Sequence, residues 1–179
     1  VIPLVAAGIM WSWLLSKNGL INQVLAAVGL GGITRAWLAD FALALPAVGV
    51  IGAWVLLGLC TILLLTGMSK IDQALYESAR IDGASSWQEF RSITVPSLRY
   101  EIGVCITITV IASLAAFDIV YISTLGGPGT TTTVPGLEIY RLAFYARQVG
   151  LASALAIILV VLVLVTVLPI QRLTRGEPE

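Results

Sequence analysis

Lys70 to Arg99 reads KIDQALYESARIDGASSWQEFRSITVPSLR, the longest polar passage in a chain that is otherwise apolar. A hydrophobic stretch long enough to cross a bilayer lies on either side of it. From Ile71 to Asp82 the residues Ile71, Ala74, Leu75, Ser78 and Ala79 recur at three- and four-residue intervals, while Asp72, Gln73, Tyr76, Glu77 and Arg80 take the other face. That spacing predicts an amphipathic helix of about three turns. Gly83 supplies the backbone freedom that a helix C-terminus needs. Ser86, followed three residues later by Glu89, predicts a capping box and a second helix carrying Trp87, Phe90 and Ile93 on its apolar side. Pro96 is expected to stop that helix, since proline lacks a donor and disfavours helix at Val95. A bent shape with a charged outer face suits a cleft on a water-soluble partner.

Composition sets the surroundings of this loop. Hydrophobic residues make up 58% of the chain, charged residues 11%, and the mean hydropathy is +0.98, which marks an integral membrane protein. Formal net charge is zero, so no basic face argues for nucleic acid. There is no histidine, which removes the usual base and zinc ligand. Cys60 and Cys105 each fall inside an apolar stretch and read as buried free thiols.

Four stretches are apolar enough to lie in a membrane. Residues 1–15 give a helix of about 22 Å, short of the roughly 30 Å core, and read as the end of a helix that begins before Val1. Trp11 and Trp13 are expected at its interfacial end. Residues 41–66 carry no charge and predict a full span, with Pro46 near the start and Gly49, Gly52 and Gly58 offering close helix approach. Residues 102–125 predict the next span, in which Thr107 and Thr109 bond back to their own helix. Residues 149–170 are the last, uncharged and rich in Val, Leu and Ile. Residues 67–101 then form one loop between spans.

Two segments leave the membrane on the opposite side. Residues 16–40 hold turn signals at Asn18-Gly19 and Gly31-Gly32 around a short apolar helix, Leu20 to Val28. Residues 126–148 begin with Gly126-Gly127-Pro128-Gly129, a turn, and continue into a short helix from Leu137 to Tyr145 with Arg141 and Arg147 exposed. Basic residues favour the loop and tail over these segments, six against four, which places the loop and the C-terminus in the cytoplasm. Asp118 stands inside the third span. A carboxylate there costs a few kcal/mol unless it faces protein or water, so it is a candidate for function, and solvation at the outer interface is the competing reading.

The loop resembles that of the permease subunits of binding-protein-dependent ABC importers, which reads Glu-Ala-Ala, three residues, Gly, nine residues, Ile, one residue, Leu-Pro. Glu77, Ser78, Ala79, Gly83, Ile93, Val95 and Pro96 match without a gap; Ser78 stands for alanine and Val95 for leucine. The longer run YESARIDGASSWQEFRSITVP, with Asp82 before Gly83, is similar to the sugar-importer branch, as in maltose- and glycerol-3-phosphate-type permeases. FDIVYISTLGGPGTTTTV resembles a pattern of the same branch and would set Asp118, Tyr121 and Thr124 near the translocation path. The resemblance implies an all-α polytopic membrane protein, the transmembrane domain of a type I ABC importer (MetI-like), incomplete at its N-terminus. It implies a cytoplasmic ABC ATPase dimer docked on the loop, with Glu77 making the charged contact, Gly83 the bend and Ile93 an apolar plug. It further implies a second permease subunit, identical or homologous, an extracytoplasmic solute-binding protein, a sugar-like substrate, and a bacterial or archaeal inner membrane.

No phosphate loop ending in Gly-Lys-Ser or Gly-Lys-Thr is present, so ATP is expected on a partner chain and this chain is expected to hold no cofactor and catalyse nothing itself. An ion-gradient-driven secondary transporter is the rival reading. It calls for a relay of ionisable residues in the spans and an internal repeat, and only Asp118 qualifies.

Overall fold

The computed structural model describes residues 3–174, and these are helices joined by turns. Helix α1 is Leu4–Leu14, α2 is Leu20–Ala27 and α3 is Ala44–Met68. The polar loop holds α4, Gln73–Ile81, and α5, Ser86–Ser97. Then come α6, Arg99–Leu114, α7, Asp118–Ser123, α8, Pro135–Tyr140, and α9, Val149–Thr174.

Helices α3 and α9, of 25 and 26 residues, are long and apolar enough to cross a bilayer. Pro46 sits in the first turn of α3, where its missing donor costs nothing. Within this chain Gly49, Gly52 and Gly58 do not serve close packing, because an added methyl at each would meet nothing within 4 Å. The tight crossings lie elsewhere. A methyl at Gly67 of α3 would meet Leu98 at 2.7 Å and Glu101 at 2.8 Å, and one at Gly103 of α6 would overlap the side chain of Thr174 on α9. Small residues thus set α6 against both long helices near the loop end.

The expected third span is two helices. α6 stops at Leu114, and Phe117, with φ −133°, turns the chain before α7 begins. Hydropathy is blind to this break because Ala115, Ala116 and Phe117 are all apolar. A neighbour packs against the break: Gly136 comes so near that a methyl there would lie 3.1 Å from the carbonyl of Ala116. Thr109 donates to the carbonyl of Cys105 at 2.8 Å as expected, but the buried Thr107 hydroxyl has no partner among the described residues. Helices α3 and α6 touch where the Cys105 thiol approaches the carbonyl oxygen of Cys60 at 3.9 Å.

The core lies at the end away from the polar hairpin. Leu15, Ala47 and Ile51 are buried against Trp11, Ile21 and Trp37; beside them Val48, Val120 and Leu137 are buried against Leu38 and Phe117. Trp11 packs inward, edge-on to Trp54 at 5.8 Å, whereas Trp13 is exposed as expected. Residues 16–40 fold around Asn22, which sequence inspection passes over. Its amide nitrogen shares two hydrogens among the carbonyls of Ser16, Lys17 and Arg35 at 3.1, 3.0 and 2.6 Å, and its oxygen accepts from the Trp37 indole at 2.9 Å.

Candidate coupling loop and outer segment

Helix α4 is capped at both ends by its own sequence. Asp72 accepts a hydrogen bond from the amide of Ala74 at 3.0 Å. At the other end Ala84 N–H donates to Ala79 and Gly83 N–H to Arg80, at 2.9 and 3.1 Å, with Gly83 at φ +80°. This is a Schellman ending, which needs a left-handed residue and so glycine.

Helix α5 begins one residue earlier than the Ser86–Glu89 pairing predicts. Ser85 is the cap, and its amide donates to Gln88 Oε1 at 2.7 Å. Glu89 is drawn away instead: Arg80 Nε donates to its Oε1 at 2.9 Å, and the Glu89 side chain is 11% exposed. That hydrogen bond, helped by the charges of Glu89 and then Glu77, raises the pKa of Arg80 above its ordinary value. Pro96 does not stop α5, which continues to Ser97. The helix widens into a π-turn over Phe90–Thr94, and Val95 stays helical at φ −64°. A wider turn just upstream accommodates a ring that would clash with the preceding carbonyls in a regular helix. The chain bends at Leu98, by 68° between α5 and α6.

The inward face of α4 differs from the one its periodicity predicts. Tyr76 and Ala79 turn toward α5, where the Tyr76 hydroxyl lies 2.9 Å from Thr94 Oγ1. Ala74, Leu75 and Ser78 are exposed, because polar pairs rather than apolar ones close this hairpin. Ile81 and Trp87 are also exposed, and Trp87 stacks on Phe90 at 5.6 Å. Glu77 and Asp82 face solvent. Ile93 is half-buried and lines a cleft of about 290 Å³ with Ala79, Asp82, Gly83 and Glu89. Pro96 is exposed on the last turn.

In the outer segment Asp118 is exposed in the first turn of α7, where the helix dipole favours a negative charge, and it forms no ion pair among the described residues. Tyr121, half-buried, stacks on Phe117 at 5.2 Å and meets Tyr140 edge-on at 5.4 Å. It lines a cleft of about 480 Å³ with Leu125, Glu138, Tyr140 and Arg141. The neighbouring Tyr121 hydroxyl, ahead of other influences, raises the pKa of Tyr140. Thr124 is committed to structure. Its hydroxyl lies 2.7 Å from that of the fully buried Thr132, which donates to the carbonyl of Gly127 at 2.8 Å. Arg141, expected to be exposed, is half-buried and donates to the carbonyl of Leu125 at 2.6 Å; Arg147 is exposed. The expected helix over 137–145 is α8 followed by a π-turn, Arg141–Tyr145.

Apolar helices, with a capped polar hairpin at one end and a folded segment at the other, define a polytopic all-helical membrane protein. Residues 1–175 match the family described as binding-protein-dependent transport system inner membrane component, and the chain belongs to that family. It is 35% identical to a probable ABC transporter permease of Brucella suis biovar 1 over 98% of this chain and 62% of that one. It is 34% identical to the diacetylchitobiose uptake system permease of Streptomyces coelicolor, over 98% of this chain and 52% of the relative. With the trehalose/maltose transport system permease of Thermococcus litoralis the identity is 36%, over 91% and 55%. Among solved structures, a bacterial ABC transporter that imports the acidic polysaccharide alginate superposes with a TM-score of 0.82 at 28% identity, over 99% of this chain and 62% of that one. The same kind of transporter bound to an alginate-loaded periplasmic protein gives 0.81 at 29% identity, over 97% and 60%. The chain thus spans about three-fifths or less of each of these relatives.

Proposed function

We propose that this chain is the membrane-embedded part of a permease subunit of an ATP-driven importer for a sugar or sugar-like solute. The observation that carries it is the Gly83 hairpin, which presents Glu77, Leu75, Ile81 and Trp87 to solvent at the spacing of an ATPase-coupling loop. Residues 67–101 then lie in the cytoplasm with the C-terminus, and the spans 1–15, 41–66, 102–125 and 149–170 lie in a bacterial or archaeal inner membrane. The solute class is favoured by the sugar permeases among the relatives and by an open, aromatic-lined cleft at Tyr121.

The mechanism uses alternate states biased by the partner. Closure of an ATPase dimer on ATP moves α4 and α5, and α5 passes the motion through the bend at Leu98 to α6. A second permease subunit completes the pathway, and an extracytoplasmic binding protein delivers solute to the outer segment. Asp118 and Tyr121 border the path, while Thr124 shapes the loop beside it. The exposure of Asp118 counts against the ion-relay alternative, since a relay carboxylate would be held among other ionisable groups.

Glu77→Lys tests the contact. The ATPase is expected to fall away from the purified complex while the permease stays in the membrane; full retention would place the contact on another residue. Uptake that persists without ATP and follows a proton or sodium gradient would overturn the function itself.

A further inference from the structure

We infer that three polar pairs, Lys70–Glu101, Tyr76–Thr94 and Arg80–Glu89, are rungs that make the coupling hairpin one rigid lever, with Arg80 and Glu89 as positioning residues. The inference rests on the coupling function proposed above and adds what transmits the motion.

The pairs are nested about Gly83. The innermost spans nine residues at 2.9 Å, the next eighteen at 2.9 Å, and Lys70 Nζ to Glu101 closes the base at 3.6 Å, from the end of α3 to the start of α6. Each joins one arm of the loop to the other. Glu89 and Thr94 are buried, at 9% and 6% exposure, on a loop where Leu75, Ile81, Trp87 and Phe90 face out. A carboxylate is taken out of water only where its partner is well placed, and here that partner comes from the opposite arm. Arg91, the nearest arginine on its own helix, is exposed.

The consequence is mechanical. The arms meet at a glycine in the left-handed region, the kind of position that absorbs a change of φ and ψ in a hinge. Unbraced, a pull on α4 would be spent in bending at Gly83. With the rungs in place Gly83 is a fixed corner, and a displacement of α4 reaches α5 and then α6.

The experiment uses the assembled transporter in proteoliposomes, with ATPase, second permease and binding protein, and reads solute moved per ATP hydrolysed. In Glu89→Ala the ATPase is expected to stay bound and hydrolyse ATP while that ratio falls about fivefold or more, the scale of a lost interaction of one kcal/mol. The exchanged pair R80E/E89R is expected to recover most of the ratio. Should Glu89→Ala fail to fold, Thr94→Val removes the middle rung without stranding a charge, and the same loss is expected. Spin labels at positions 75 and 91 are expected to show a broader distance distribution in either variant. An unchanged ratio, an exchange no better than the single changes, or loss of the ATPase with normal coupling in the remainder would each overturn the inference. A wild-type complex that moves solute without hydrolysing ATP would overturn the coupling function instead.

Discussion

The two ends of the molecule are fastened by different chemistry. The polar hairpin is closed by side chain to side chain, across Arg80–Glu89 and Tyr76–Thr94. The segments at the other end are closed mainly by side chain to backbone, with Asn22 among three carbonyls, Thr132 on Gly127 and Arg141 on Leu125, beside the side-chain pairs Trp37–Asn22 and Thr124–Thr132. A fastening to a carbonyl depends on one residue type, whereas a paired fastening depends on two and can be exchanged for its mirror. The outer end is therefore set for shape, and the hairpin for a geometry that two side chains decide.

The largest effect should come at the outer end. Asn22→Ala strips three carbonyls and the Trp37 indole of their partner, and should cost about 3 kcal/mol or more, read as a lower Tm in detergent. A loss below about 1 kcal/mol would erase the contrast. Next, Gly83→Val forces a β-branched residue to φ +80°, for about 2 kcal/mol, and should abolish coupling of ATP hydrolysis to uptake while membrane insertion persists. Arg141→Met should cost about 1 kcal/mol in Tm and loosen the turn at Leu125, measured by faster amide exchange over residues 125–133. The smallest change is Lys70→Ala, because the lysine side chain is itself 69% exposed; about 0.5 kcal/mol or less is expected. Salt sharpens the comparison further. At 1 M ionic strength, where screening acts over about 3 Å, the spin-label distribution across the hairpin should broaden while exchange at the outer turn stays unchanged.

Sequence inspection finds the helical period of α4, the glycine corner and the long apolar helices α3 and α9, because each rests on local spacing. The sidedness of α4 is not legible there, since Tyr76, Glu89 and Thr94 are polar and yet turn inward, and the exposed Arg80 reaches across to Glu89, a pattern that hydrophobic periodicity assigns to solvent. The capping register slips by one for the same reason: Ser85 and Ser86 both offer a hydroxyl, and only the distant Arg80 decides that Glu89 is occupied. The break after Leu114 is invisible because Ala115, Ala116 and Phe117 are apolar, and the Gly136 that packs against them is distant in sequence. Of the candidate path, Tyr121 reaches an open cleft, whereas Thr124 is bound up in the turn, a distinction made by the buried Thr132. A serine or threonine run such as residues 130–133 signals polarity and says nothing of which hydroxyl will be sealed inside.

The neighbouring thiols of Cys60 and Cys105 sit on the two helices that flank the hairpin, one on each. Nature has in effect left a ruler between the arm that enters the loop and the arm that leaves it. A short thiol-reactive staple across that pair would halt import if the two helices part during the cycle, and would go unnoticed if they travel as one, with no substitution needed to ask.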